Sequence, residues 1–232
     1  MIKSVGAKTI NFIGGTLILL LIFSCSSKKE RVLPILGNYD VIYKTVDGKE
    51  VTDTIFPKIP KFYYQDENGK EVTNKNFKNR VWIVEFFFAR CPSICPIMNS
   101  QLKRFYKETK EVTSELQFLS FTIDPKNDTP EALLAYRKKN NITAKNWSFL
   151  RGNEAETHRM GIENFQTFAG RDAEAEGGFA HSGAFTLVDK SGYVRGVYAV
   201  TNYDGTVNEK EYQRMKAELF KLLEYEYDVV IP

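Results

Sequence analysis

Apolar residues in this chain switch between two rhythms, and the switches mark out its elements. Residues 39–43 and 49–55 alternate around Asp47-Gly48, the pattern of a β-hairpin with a tight turn. A second turn at Asn68-Gly69 follows Phe62-Tyr63-Tyr64. Val81 to Phe88 is almost unbroken apolar sequence, as expected of a central strand covered on both faces. From Cys95 to Thr109 the spacing of Met98, Leu102, Phe105 and Tyr106 is helical, and Leu116 to Ile123 returns to a buried strand. Asp128-Thr129-Pro130-Glu131 reads as a helix start, with Asp128 as N-cap, Glu131 three residues on and Pro130 in the first turn. A strand over 147–150, a short helix over 154–164 and a Gly-rich loop through Gly177-Gly178 come next. Strands over 185–189 and 193–200 and an amphipathic helix over 209–225 complete the series. Strands alternating with helices, then a closing hairpin and helix, predict an α/β fold: a central mixed sheet flanked by helices.

Residues 1–24 depart from this pattern. They hold Lys3 and Lys8, no acid, and the apolar run Leu17 to Phe23, which together read as a secretory signal peptide. The uninterrupted run is shorter than a membrane span requires. Ser24-Cys25 follows, and an apolar run ending in a small residue and then Cys resembles the bacterial lipobox, in which Cys25 becomes the lipid-bearing N-terminus. The alternative is an uncleaved single-pass anchor. Residues 25–36 then form the lipidated cysteine and a polar tether. Both readings export the body and attach it to a membrane, facing the periplasm, with inner and outer membrane left open. The body, 37–232, has the size of one domain, with 37–56 as an N-terminal β-hairpin extension.

Composition narrows the function. With 232 residues, 43% hydrophobic, 26% charged and a net charge of +3, the chain is neither disordered nor coiled-coil nor collagen-like. Loss of residues 1–24 leaves 30 basic and 29 acidic residues, so neither nucleic acid nor an anionic membrane surface is an electrostatic partner. Three Cys and two His exclude a disulfide-stapled scaffold and a four-ligand zinc cluster of Cys and His alone.

The chemistry concentrates in Cys91-Pro92-Ser93-Ile94-Cys95-Pro96, where a buried strand passes into a helix. Amide groups at a helix N-terminus favour thiolates, which are both the nucleophilic and the metal-binding form. Redox cycling through a Cys91–Cys95 disulfide and metal capture are both open. His181 stands just before the strand over 185–189, and in a parallel sheet its strand end would converge with the Cys91 loop. Two soft thiolates and one imidazole favour copper, as Cu(I) or Cu(II). His158 has no thiol near it in sequence and reads as a surface residue.

Three ordered segments carry a family resemblance: Cys91 to Pro96 after an aromatic strand, Thr122-Ile123-Asp124-Pro125-Lys126-Asn127-Asp128-Thr129-Pro130-Glu131, and His181 ahead of Leu187-Val188-Asp189-Lys190-Ser191-Gly192. Over residues 55–225 the chain resembles the Sco/SenC family of thioredoxin-fold proteins. The resemblance implies a membrane-tethered copper chaperone that delivers copper to, or prepares the thiols of, the dinuclear copper site of cytochrome c oxidase. The copper-site subunit of that oxidase and an exported thiol reductant are the implied partners. Cys91, Cys95 and His181 match the family's copper ligands, and Asp124 matches a supporting acid near the metal. If the site is redox-active, Cys91 and Cys95 are also its catalytic pair. The alternative is an exported thiol-disulfide oxidoreductase or peroxide-reducing thioredoxin-like enzyme. Such enzymes more often carry two residues between the cysteines and a cis-proline where this chain has Ser182-Gly183-Ala184. Residues 37–56 fall outside the resemblance.

Overall fold

The computed structural model describes residues 32–227 apart from Thr113, Glu176 and Tyr203. Cys25, the apolar run before it and the start of the tether lie outside the described residues. Strands β1 (Asp40–Val46) and β2 (Lys49–Ile55) form a sheet of their own, paired from Asp40↔Ile55 to Val46↔Lys49. Both turn residues have positive φ, 51° at Asp47 and 74° at Gly48, which matches the twist of the flanking strands.

The other strands are β3 (Tyr63–Asp66), β4 (Glu71–Thr73), β5 (Val81–Phe87), β6 (Leu116–Thr122), β7 (Trp147–Arg151), β8 (Ala169–Arg171), β9 (Phe179–His181), β10 (Ala184–Val188) and β11 (Val194–Ala199). The helices are α1 (Cys95–Glu108), α2 (Pro130–Lys139), α3 (Glu154–Glu163) and α4 (Glu209–Tyr227). Seven strands form the central sheet in the order β11-β10-β5-β6-β7-β3-β4. β5, β6 and β7 are parallel, while β10 and β3 pair antiparallel to this core, so the sheet is mixed as expected. Every residue of β5 and β6 is buried, because helices cover both faces. On one face Phe105 and Tyr106 of α1 meet Phe118, Tyr136 of α2 meets Phe87 and Phe149, and Tyr212 of α4 meets Phe105. On the other, Phe86 and Phe121 pack with Phe165, and α3 approaches so closely at Gly161 that an added Cβ would lie 3.3 Å from the Phe86 ring.

Three local expectations change. Thr129, not Asp128, caps α2: its hydroxyl accepts from the Ala132 N–H, and Asp128 turns inward instead. The Gly-rich loop before His181 is closed by a short ribbon that the pattern does not predict, with β8 and β9 paired on either side of it from Ala169↔His181 to Arg171↔Phe179. His158 is half-buried rather than a free surface group. Its Nε2 lies 2.9 Å from the Ile123 carbonyl and its ring meets Phe179 edge-on, 6.1 Å between centroids.

The N-terminal segment is fixed at one end of the sheet. Arg195 and Asp189 form a buried ion pair of 2.8 Å, 4% and 3% exposed, and the same guanidinium donates to the carbonyls of Leu33 and Pro34. Leu36 N–H donates to Val194 O and Ile59 N–H to Gly192 O, so both flanks of the β1–β2 hairpin are held at the β10–β11 turn. That turn lies at the far end of β5 from Cys91, because Val188 pairs with Trp82 near the beginning of β5.

Candidate metal centre

Past β5 the chain turns sharply, with Cys91 N–H donating to Phe88 O at 3.1 Å. Three ties to the loop after β6 hold this turn. Ile123 N–H donates to Phe87 O, Ala89 N–H donates to Asp128 Oδ2 at 3.0 Å, and the Arg90 guanidinium pairs with Asp124 at 2.7 Å. Helix α1 starts at Cys95, with Pro96 in the first turn, where a missing N–H costs nothing. Cys91 therefore lies in the bend ahead of the helix. The loop, rather than helical spacing, brings the two sulfurs together.

His181 arrives from the other side. β10 runs antiparallel to β5, so the beginning of β10 lies beside the end of β5, and the residue three positions ahead of it reaches the thiols. The parallel pairing expected for this strand would have carried His181 to the opposite end of the sheet. Gly177 makes room here: its φ is +89° and an added Cβ would lie 2.9 Å from the Phe88 ring. Phe88 in turn meets the His181 ring edge-on, 6.0 Å between centroids.

The result is a compact donor cluster. Cys95 Sγ lies 3.0 Å and Cys91 Sγ 3.9 Å from His181 Nε2, and the three ligand atoms are all within 4.8 Å of one another. All three residues are buried, at 8%, 3% and 7% exposure for Cys91, Cys95 and His181. Both cysteines are free thiols. Two sulfurs and one nitrogen at this separation form a donor set that suits a soft ion satisfied by few ligands, Cu(I) above all.

The two thiols differ, which corrects the expectation that the helix N-terminus lowers both. The hydrogen bond from the Cys95 thiol holds Cys91 down at about 3, with His181 and the N–H groups of Cys95 and Ser93 contributing against burial. Burial pushes Cys95 well above the usual thiol range, and the Cys91 sulfur raises it further. Neighbouring sulfurs cannot both ionise cheaply in a dry site, so the more exposed one takes the charge.

Asp124 stands apart from the donor cluster. Its carboxylate, 1% exposed, accepts from Asn127 Nδ2 at 2.9 Å as well as pairing with Arg90, and its carbonyl accepts the N–H groups of Asn127 and Asp128. It shapes the loop that grips residue 90. Sequence reasoning missed two other acids. Asp128, 1% exposed, ties Ala89 N–H to the Thr122 hydroxyl through Oδ2, and burial pushes its carboxyl up. Glu85 is 3% exposed in the middle of β5; Ser120 Oγ donates to it at 2.5 Å, and Trp147 Nε1 donates to Ser120 at 2.8 Å. Burial pushes the Glu85 carboxyl up to about 7, opposed by the Ser120 hydroxyl and by His181. One charge inside the apolar run from Val81 to Phe88 was the signal for it.

Comparison with known proteins places this geometry among relatives. A family model described as SCO1/SenC matches residues 50–216. The structure of a SCO1/SenC family lipoprotein from Bacillus anthracis str. Ames aligns with a TM-score of 0.62 at 28% identity, covering 72% of this chain and 95% of that one. BsSco, described with a disulfide switch and as a member of the Sco family of cytochrome c oxidase assembly proteins, aligns at 0.60 and 25%, covering 73% and 94%. Yeast Sco1 with copper bound aligns at 0.52 and 25%, covering 69% and 90%. The thioredoxin-like class of the sheet and its helices follows from these alignments.

Proposed function

The chain belongs to the SCO1/SenC family, and from that premise we propose that it is a copper-binding chaperone in cytochrome c oxidase assembly, carrying its cargo on Cys91, Cys95 and His181. The observation that carries this reading is the convergence of the two sulfurs and Nε2 within 4.8 Å in a buried pocket. Copper-bound yeast Sco1, aligned over 69% of the chain, supports the same cargo.

In this reading the Cys91 thiolate and Cys95, which gives up its proton as Cu(I) binds, supply two donors, and His181 supplies the third. The ion then passes to cysteines of the oxidase's copper-site subunit by stepwise ligand exchange, without release of free copper. A Cys91–Cys95 disulfide has to be opened first. An exported dithiol supplies the two electrons and two protons and leaves as its own disulfide. Asp124 acts through Arg90, keeping the Cys91 turn in place. Cys25 bears the lipid that holds the body at the exported face of a membrane, a reading supported by the lipoprotein relative from Bacillus anthracis.

A second reading, thiol-disulfide exchange as the main task, has its own observation. Cys91 is the more acidic and more exposed sulfur, as an attacking thiolate should be, while Cys95 keeps its proton.

The test is a Cu(I) titration of the reduced chain beside Cys91→Ala, Cys95→Ala and His181→Ala. Stoichiometric binding in the parent, its loss in both cysteine variants and its weakening in His181→Ala support the chaperone. Retained binding in the cysteine variants removes the metal assignment. Loss in those two alone, with His181→Ala unchanged, favours the thiol-exchange reading.

A further inference from the structure

Paired residues of an antiparallel hairpin share a face. Val41↔Thr54, Tyr43↔Thr52 and Thr45↔Glu50 therefore put Val41, Tyr43, Thr45, Thr52 and Thr54 on one side, where the alternation also places Tyr39 and where Glu50, beside the turn, is the sole charge. The other side carries no aromatic residue: it sets Asp40, Lys44, Lys49 and Asp53 among Ile42, Val46, Val51 and Ile55, with Lys44 and Asp53 paired across the strands at 2.5 Å. The tyrosine-bearing face is open to solvent: Tyr39, Val41 and Tyr43 are 59%, 44% and 75% exposed. Among the described residues no further strand pairs with β1 or β2. A lone two-stranded hairpin is marginal in water and gains from a surface to lie on.

The chain outside the structure says what that surface is. The hairpin's flanks are held at the β10–β11 turn, and the clamp of Arg195 on Leu33 and Pro34 fixes the entry of the N-terminal segment at the same place. Six residues lie between Cys25 and Val32, so a lipid on Cys25 keeps this end of the body within about 25 Å of the bilayer. Tyrosine, with an apolar ring and a polar tip, belongs at such an interface. The nearly balanced charge of the chain after Ser24 leaves little electrostatic attraction, so contact depends on the Tyr and Val side chains.

We propose that the Tyr39-Val41-Tyr43 face of the β1–β2 hairpin rests on the lipid surface to which the N-terminus is tethered. This rests on the lipid-anchored part of the reading above and not on copper. Because the hairpin and Cys91 lie at opposite ends of β5, the thiol–imidazole site then faces away from the bilayer, toward partners that project from it.

The experiment uses the full chain purified with its native N-terminus. It is reconstituted into phosphatidylethanolamine–phosphatidylglycerol vesicles with and without brominated acyl chains. Tyr43→Trp and Lys44→Trp place a reporter on the two faces, while Trp82 and Trp147, buried at 4% and 1% exposure, give a constant background. The added emission is expected to fall roughly twofold in Tyr43→Trp and to change little in Lys44→Trp. Equal quenching of both, or none in either while the chain floats with the vesicles, overturns the proposal. So does a chain that fails to float, or a vesicle-free dimer lost in Tyr43→Ser, which assigns the face to a second copy. Cu(I) titration of the same samples reads the metal site independently, so failure here leaves the chaperone reading intact.

Discussion

Cys95 Sγ and His181 Nε2 lie 3.0 Å apart although 86 residues of chain separate them. The contact joins the beginning of α1 to the end of β9, so neither segment holds the site alone. His181→Ala removes the nitrogen and leaves both thiols. It is expected to weaken Cu(I) retention on the order of a hundredfold against a chromophoric chelator. Unchanged competition would show that the imidazole is not a ligand.

The split between the two sulfurs has a kinetic consequence. Iodoacetamide should modify Cys91 before Cys95, at a rate nearly flat from about pH 5 to 8, because Cys91 is already ionised throughout that range. Peptide mapping by mass spectrometry after brief labelling reads the order, and Cys95 reacting first would contradict the assigned acidities.

Glu85 makes stability depend on pH. Its carboxyl titrates near 7 in the fold against an ordinary value of 4.5, so ionisation opposes folding. Its contribution is fully present below the unfolded value and is lost as pH rises through the folded one. Glu85→Gln keeps an acceptor for Ser120 and carries no charge. It should stabilise the chain by up to about 3 kcal/mol at pH 8 and change little at pH 4. Urea unfolding at both values measures this, and equal differences at the two would remove the assignment.

Asp128 is the tie whose loss costs most. Asp128→Ala leaves the Ala89 N–H and the Thr122 hydroxyl without their acceptor, for about 2–3 kcal/mol. Arg90→Ala cuts an ion pair whose guanidinium side is 58% exposed, and should cost about 1 kcal/mol or less. Thermal unfolding of the two variants orders them, and the reverse order would mean that the Arg90 contact holds the turn.

Some of the molecule was readable one segment at a time. The period of apolar residues located β5, β6, α1 and α4 to within two residues at each end, since a strand or helix buried against the core has to repeat its apolar positions locally. The β1–β2 turn was equally legible, because Asp-Gly is what two successive positive φ values require. The short β8–β9 ribbon was not: three residues on each side carry too little periodicity to stand out from a Gly-rich loop.

Order along the chain already decided which side chains could do soft-metal chemistry, because a chain with so few thiols and imidazoles offers few combinations and the Cys91 to Cys95 spacing is local. Their meeting was decided only in three dimensions. The antiparallel pairing of β10 on β5 brings His181 to the thiols, and the inward turn of Asp128 grips the Cys91 bend. The separation of Cys91 from Cys95 in acidity likewise follows from burial and one shared proton. Pairing direction, burial and proton sharing arise between segments distant in sequence, and no local pattern records them.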